Sequence, residues 1–291
     1  MNKCQAITKK GTACINNAKN GEFCGIHSKG PTVDSGSTIT ITYCNVAENH
    51  VGMEKIGSST SIKGFQLDEL KNGLEVFSGS KIYDLRELVS GTSVQVDEAY
   101  LFVAPGGADI LLKEIGSSAK EMFQEQMALE WDKKILSAKH GGVVNKNARW
   151  NLCYADYNQS PAFEQGKGTV VSFDKIPRTS HIRKRLGEIF GPKAKGLVAE
   201  GNLYYDVSKT GIGYHGDAER DIVVGIRLGK TMSLHYQWYV ESKPVGRNFE
   251  FALNEGDIYV MSEKAVGKDW HKKKIPTLRH AAGCKKYTDL K

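Results

Sequence analysis

The strand-rich final third of the chain constrains its fold most. Six short runs crowd together there: GNLYYDV, DIVVGIRLG, MSLHYQWYV, NFEFAL, DIYVM and TLRHAAG. They are rich in Val, Ile, Tyr and Phe, and Gly, Asn, Lys and Pro separate them. Parallel strands need long, usually helical crossovers, and no helical pattern intervenes here. The segment therefore predicts an antiparallel sandwich or barrel.

Upstream the pattern is mixed. TITITYC alternates in the strand period, with Ile39, Ile41 and Tyr43 on one face. A short helix is expected around Leu67 to Leu70, and EAYLFVAPGGADILL reads as strand, turn, strand with the bend at Pro105-Gly106-Gly107. From Ala119 to Ala138 the apolar residues Phe123, Met127, Trp131 and Ile135 recur every four, which predicts one long helix. RTSHIRKRLGEIFG predicts another, started by Thr179 or Ser180 and ended by Gly191. The length of 291 residues suits one to three domains.

Cysteine usage divides the chain again. Three of the six cysteines fall in the first 24 residues, where Cys4, Cys14, Cys24 and His27 form C-x9-C-x9-C-x2-H. Four soft or borderline ligands are what a closed tetrahedral Zn(II) site takes, and so short a segment needs a metal to fold. The spacings are not those of a DNA-reading finger, so the module reads as structural. Residues 1 to 30 also carry five lysines against Glu22 alone, out of a net charge of +7, an excess that favours polyanions. The polar SKGPTVDSGS that follows reads as a linker. No run of 18 apolar residues occurs and the start lacks a secretory apolar core, so the expectation is a soluble intracellular protein, cytoplasmic or nuclear, with no membrane partner.

The chemistry centres on GIGYHGDAERD. Side chains two apart on a strand share a face, so His215 and Asp217 can ligate one ion. Two histidines and one carboxylate on one face of an octahedron leave three positions open, the non-haem Fe(II) arrangement. A second histidine must come from downstream, and two are available: His271, after Trp270, and His280, in TLRHAAG. Upstream of these elements Lys146, Arg149, Trp150, Tyr154 and Tyr157 interleave charge with aromatics, as single-stranded nucleic-acid binding or a half-buried strand with a basic rim would both produce.

YYDVSKTGIGYHGDAERDIVVGIRLG, followed by LNEGDIYVM, resembles the AlkB-like branch of the Fe(II)/2-oxoglutarate-dependent dioxygenases over residues 195 to 285. VAENHVGMEKIG, NKNARWNLCYAD and MSEKAVGKDW are similar to AlkB-like proteins of large DNA viruses and extend the likeness over residues 38 to 285. The resemblance implies an α+β fold, with a double-stranded β-helix (jelly roll) catalytic domain and supporting helices. The organisation expected is a zinc module over 1–30, a linker over 31–37, an α+β region over 38–145 and the catalytic domain over 146–291. It further implies Fe(II) on His215, Asp217 and His271, with His280 as the rival. Tyr205 would bond 2-oxoglutarate and Arg279 would pair its distal carboxylate; with His280 as ligand, Lys285 or Lys286 would replace the arginine. The implied reaction is hydroxylation or demethylation of a nucleic-acid base, DNA or RNA, single-stranded or flipped out. The alternatives are a protein side-chain hydroxylase or demethylase, and a nucleic-acid-binding protein with an inactive oxygenase domain. Two features depart from the family: Leu203 stands where it has asparagine, and its closing two-arginine motif is missing.

Overall fold

The structure is a computed structural model, and the residues described are 36–58, 62–137 and 140–290. They fall in one compact unit, Gly36–Lys291. Cys4, Cys14, Cys24 and His27, the zinc ligands expected from sequence, lie outside the described residues.

The first half of the unit contains β1 (Thr38–Cys44), β2 (Val46–Glu48), β3 (Lys55–Gly57), α1 (Leu67–Val76), β4 (Lys81–Asp84), β5 (Tyr100–Ala104), α2 (Gly107–Leu112), α3 (Ala119–Met127), β6 (Lys134–Ser137) and β7 (Gly142–Asn145). Then come β8 (Trp150–Ala155), β9 (Val170–Ser172), α4 (Pro177–Ile189), β10 (Val198–Tyr204), β11 (Gly211–His215), β12 (Val223–Gly229), β13 (Met232–Val240), β14 (Lys243–Leu253), β15 (Ile258–Met261), α5 (Glu263–Val266), β16 (Thr277–Gly283) and α6 (Lys285–Thr288). The class is α+β, mostly sheet.

Twelve of these strands form two sheets, and β2-β3 and β6-β7 pair separately. The larger has the order β4-β5-β15-β12-β1-β10-β8-β9 and the smaller β11-β16-β13-β14. All pairings are antiparallel except β8 with β9. The sheets face each other through a shared core, in which Val103, Val223 and Met261 of the larger meet Leu234, Trp238 and Leu278 of the smaller. The other face of the large sheet packs on helices: Ile39, Ile41 and Tyr43 of β1 are buried with Leu70, Leu111, Met122, Ile182 and Leu186. That leaves Thr38, Thr40, Thr42 and Cys44 on the face turned toward the small sheet. β1 lies between β12 and β10, so strands from both sides of residue 145 share one sheet.

Three local expectations need correction. Helix α3 stops at Met127 instead of running to Ala138, because Lys134–Ser137 pairs with Gly142–Asn145 as a hairpin, with Gly141 at φ +64°. Ile135 keeps the helical spacing by coincidence and faces Val144 across that hairpin. The segment after Pro105 is the helix α2, not a strand; Gly106 in the left-handed region turns the chain into it. Helix α4 begins at Pro177, ahead of Thr179, whose side chain bonds Glu125 at 2.9 Å instead of capping.

Candidate metal centre

The centre is built by β11 and β16, which lie side by side with His215 directly opposite His280. Residues directly opposite across an antiparallel pair hold their Cβ atoms about 5 Å apart, so register alone brings the imidazoles together. The register shifts between Ile212 and His215, a bulge that re-aims the end of β11. The His215 and His280 rings stand 4.5 Å apart, centroid to centroid.

Asp217 arrives from the turn after β11. Its amide donates to the Val266 carbonyl at 3.0 Å, which ties the turn to the end of α5. Gly216 is required there, because a Cβ would be driven into the Gly267 carbonyl. The Asp217 Oδ1 then lies 3.5 Å from His215 Nε2 and 3.7 Å from His280 Nε2. The three donor atoms lie within 4.8 Å of one another, close enough to hold one ion.

Protonation suits ligation. His215 Nδ1 is 2.8 Å from the Gly213 carbonyl, a contact that assigns the proton to Nδ1 and leaves the Nε2 lone pair toward the cluster. Burial, then the neighbouring His215 and Arg220, holds His280 well below the usual histidine range, so it is neutral at physiological pH. Two imidazoles and one carboxyl side chain make the donor set of a non-haem Fe(II) site, so the residues present fit that ion.

Behind the cluster stands Arg220. It donates to Glu200 at 2.6 Å and to Glu219 at 2.5 Å, approaches Asp217 at 3.9 Å, and reaches the Cys44 thiol at 3.7 Å. Burial works to raise the Glu200 pKa, but Arg220 prevails and the carboxylate titrates below its ordinary value. Burial pushes the Cys44 thiol up to about 12, so it stays protonated.

The cluster lines a cleft of about 880 Å³ between the sheets. Thr40 and Thr42 of β1, Glu200, Asn202 and Tyr204 of β10, Arg227 of β12 and Tyr259 of β15 line the large-sheet side. Rows run across that sheet: Arg227 pairs with Thr40, Thr40 with Asn202, and Asn202 with Asn151. Val51, Arg149, Trp270 and His271 line it toward solvent.

The structure selects among the residues expected from sequence. His215 and Asp217 come together as expected, and the third member is His280, not His271. His271 lies exposed with its ring on Trp270, 3.8 Å between centroids. Arg279 cannot share the His280 face because consecutive strand residues alternate; its guanidinium stacks over Tyr239 at 4.1 Å and does not line the cleft. Tyr205 is likewise turned out: its hydroxyl donates to the Asn147 carbonyl at 2.7 Å and its ring stacks on Trp150. Tyr204, one residue earlier, lines the cleft instead. Lys285 and Lys286 sit in α6, also outside the lining. Sequence reasoning missed Thr40, Tyr204, Arg220 and Arg227. The signal was present in two places, the alternating threonines of TITIT and the single arginine within the apolar run VVGIRL.

No family model matches the chain. A protein of Acanthamoeba polyphaga mimivirus, described only as uncharacterized, is 48% identical over 255 residues, covering 86% of this chain and 97% of the relative. The chain belongs to the family of this mimivirus protein.

Proposed function

We propose that this protein is an Fe(II)/2-oxoglutarate-dependent dioxygenase of the AlkB-like kind, acting on a nucleic-acid base. One observation carries the reading: His215, Asp217 and His280, far apart in sequence, converge as a two-histidine, one-carboxylate set on a cleft between two antiparallel sheets. The strand order supports it. From β10 to β16 the chain crosses between the sheets at every step except the β13–β14 hairpin, the path of a jelly roll, and the eighth place, between β10 and β12, is taken by β1 from the other end of the unit. A closing strand supplied from residues 38–44 also accounts for the missing two-arginine motif.

The residues divide the work. His215, Asp217 and His280 would hold the iron, which supplies oxygen activation with 2-oxoglutarate as the electron source. In sum, a substrate C–H bond, O2 and 2-oxoglutarate give C–OH, CO2 and succinate; a methyl hydroxylated on nitrogen then leaves as formaldehyde. Gly213 fixes the His215 tautomer, and Arg220 lies 3.9 Å from Asp217 while its own charge is balanced by Glu200 and Glu219. The shared apolar core behind the cluster keeps water from that side.

The cleft mouth favours a polyanion. Trp270 and His271 lead into Lys272, Lys273 and Lys274, all three exposed, and Arg149 and Lys55 face the cleft as well. Aromatic faces with interleaved cations suit a single strand or an extruded base. The test is succinate release, followed by NMR, from Fe(II)-reconstituted protein given methylated oligonucleotides or methylated peptides, with His215→Ala as control. Succinate and formaldehyde with oligonucleotides alone are expected. Turnover with peptides alone moves the substrate to protein, and no succinate with any substrate sinks the enzyme reading.

A further inference from the structure

Two arginines are buried on the cleft, and the protein treats them differently. Arg220 is surrounded by Glu200, Glu219 and Asp217. Arg227 is 1% exposed and forms no ion pair among the described residues. Its Nη1 donates to Thr40 Oγ1 at 2.7 Å, and among the described residues its Nε has no hydrogen-bond partner. The groups that act on it electrostatically are the Tyr259 and Tyr204 phenols and Asp257, and burial pulls its pKa down. A guanidinium still keeps its proton at neutral pH.

A buried charge without an ion-pair partner is costly, and a fold retains one where a ligand completes it. Guanidinium is also the side chain best shaped for a carboxylate, through two parallel hydrogen bonds. Arg227 shares its cleft with the His215–Asp217–His280 cluster, so a ligand seated there can address both. Arg279, the arginine expected from sequence to hold a carboxylate, stacks on Tyr239 outside the cleft.

We propose that Arg227 of β12, with Thr40 of β1, is the carboxylate anchor of the cleft, taking the distal carboxylate of a dicarboxylic 2-oxo acid whose keto-acid end meets the metal cluster. The identity of the acid rests on the dioxygenase reading; the anion site rests on a buried guanidinium with no ion pair among the described residues and an unbonded Nε. Where β1 occupies the closing position and brings threonines, the positive charge is supplied by its neighbour β12. Thr40 orients the guanidinium, and Tyr204 and Tyr259 wall the site.

The experiment is calorimetric binding to full-length protein loaded with redox-silent Mn(II). 2-Oxoglutarate is compared with 2-oxobutyrate, which lacks the distal carboxylate, and succinate is titrated into metal-free protein. Wild type is expected to prefer 2-oxoglutarate by about 30-fold or more, the scale of a lost charge-assisted pair. Arg227→Met is expected to erase that preference while leaving Mn(II) affinity unchanged, Arg227→Lys to keep part of it, and Thr40→Val to weaken 2-oxoglutarate about three- to tenfold. Arg227→Met binding 2-oxoglutarate within about threefold of wild type overturns the anchor. Should Arg227→Met fail to fold, the wild-type preference and Thr40→Val decide, and indifference in both overturns it. Failure of wild type to bind Mn(II) sinks the dioxygenase reading instead. Succinate binding that depends on Arg227 would then still support the anchor, and its absence would remove both.

Discussion

The choice of His280 over His271 has a thermodynamic consequence. A ligand that binds only the folded state at 100 times its Kd stabilises it by about 2.7 kcal/mol. For a unit of this size each kcal/mol moves Tm by about 2–4 °C, so saturating metal should raise the wild-type Tm by roughly 5–10 °C. The donor atoms of His215, Asp217 and His280 are already gathered, so little of that gain is lost to reorganisation. His280→Ala leaves two donors, and its metal-induced shift should fall to near zero. His271→Ala removes an exposed ring stacked on Trp270 and should keep the full shift. The assay is scanning calorimetry of the three proteins with Mn(II) or, anaerobically, Fe(II), compared as shifts because each substitution also moves the metal-free Tm. A full shift in His280→Ala, or its loss in His271→Ala, would refute the assignment.

Three further outcomes follow from individual environments. Gly216→Ala should cost about 2–3 kcal/mol in denaturant unfolding and weaken metal binding, because the new methyl meets the Gly267 carbonyl and displaces Asp217; an unchanged midpoint would contradict this. Tyr236 stands edge-on to His280 with a buried hydroxyl that has no partner among the described residues, so Tyr236→Phe should raise metal-free stability by about 1 kcal/mol, and a loss of that size would show that the hydroxyl has a partner. Lys146 is held by Asn49 and Asn151, and burial first, with Arg149 adding and Asp132 opposing, pushes its pKa down from 10.5 to about 8. Above pH 8 the unfolded lysine binds more proton than the folded one, so this group makes stability rise with pH up to its unfolded pKa, by up to about 3 kcal/mol. The raised Cys44 and Cys153 thiols slope the other way, so the measurement is the difference between wild type and Lys146→Met across that window; parallel pH curves would count against the shift.

Much of the architecture was legible because local pattern and burial agreed. TITITYC alternates, and its Ile39, Ile41 and Tyr43 face is buried against helices as the period requires. Each of the six late runs contains a strand. Errors arose where a spacing had two meanings: Ile135 fits a helix and a hairpin equally, and only pairing with Val144 decided. His215 and Asp217 were readable from a two-residue spacing. The third member of the cluster was not, since nothing local distinguishes an exposed histidine after Trp270 from one within an apolar strand.

The sequence by itself determined the strand periods, and with them which residues of β1, β10 and β16 can share a face. It also placed two candidate metal donors two residues apart. The tertiary structure decided which faces meet. Pairing of β11 with β16 set His280 opposite His215, and alternation sent Arg279 outward in the same step. Insertion of β1 between β10 and β12 put Thr40 beside Arg227, across 187 residues of chain. The physical reason is range: strand alternation is fixed within a few residues, whereas register and sheet order come from burying two faces against each other, which no single segment encodes.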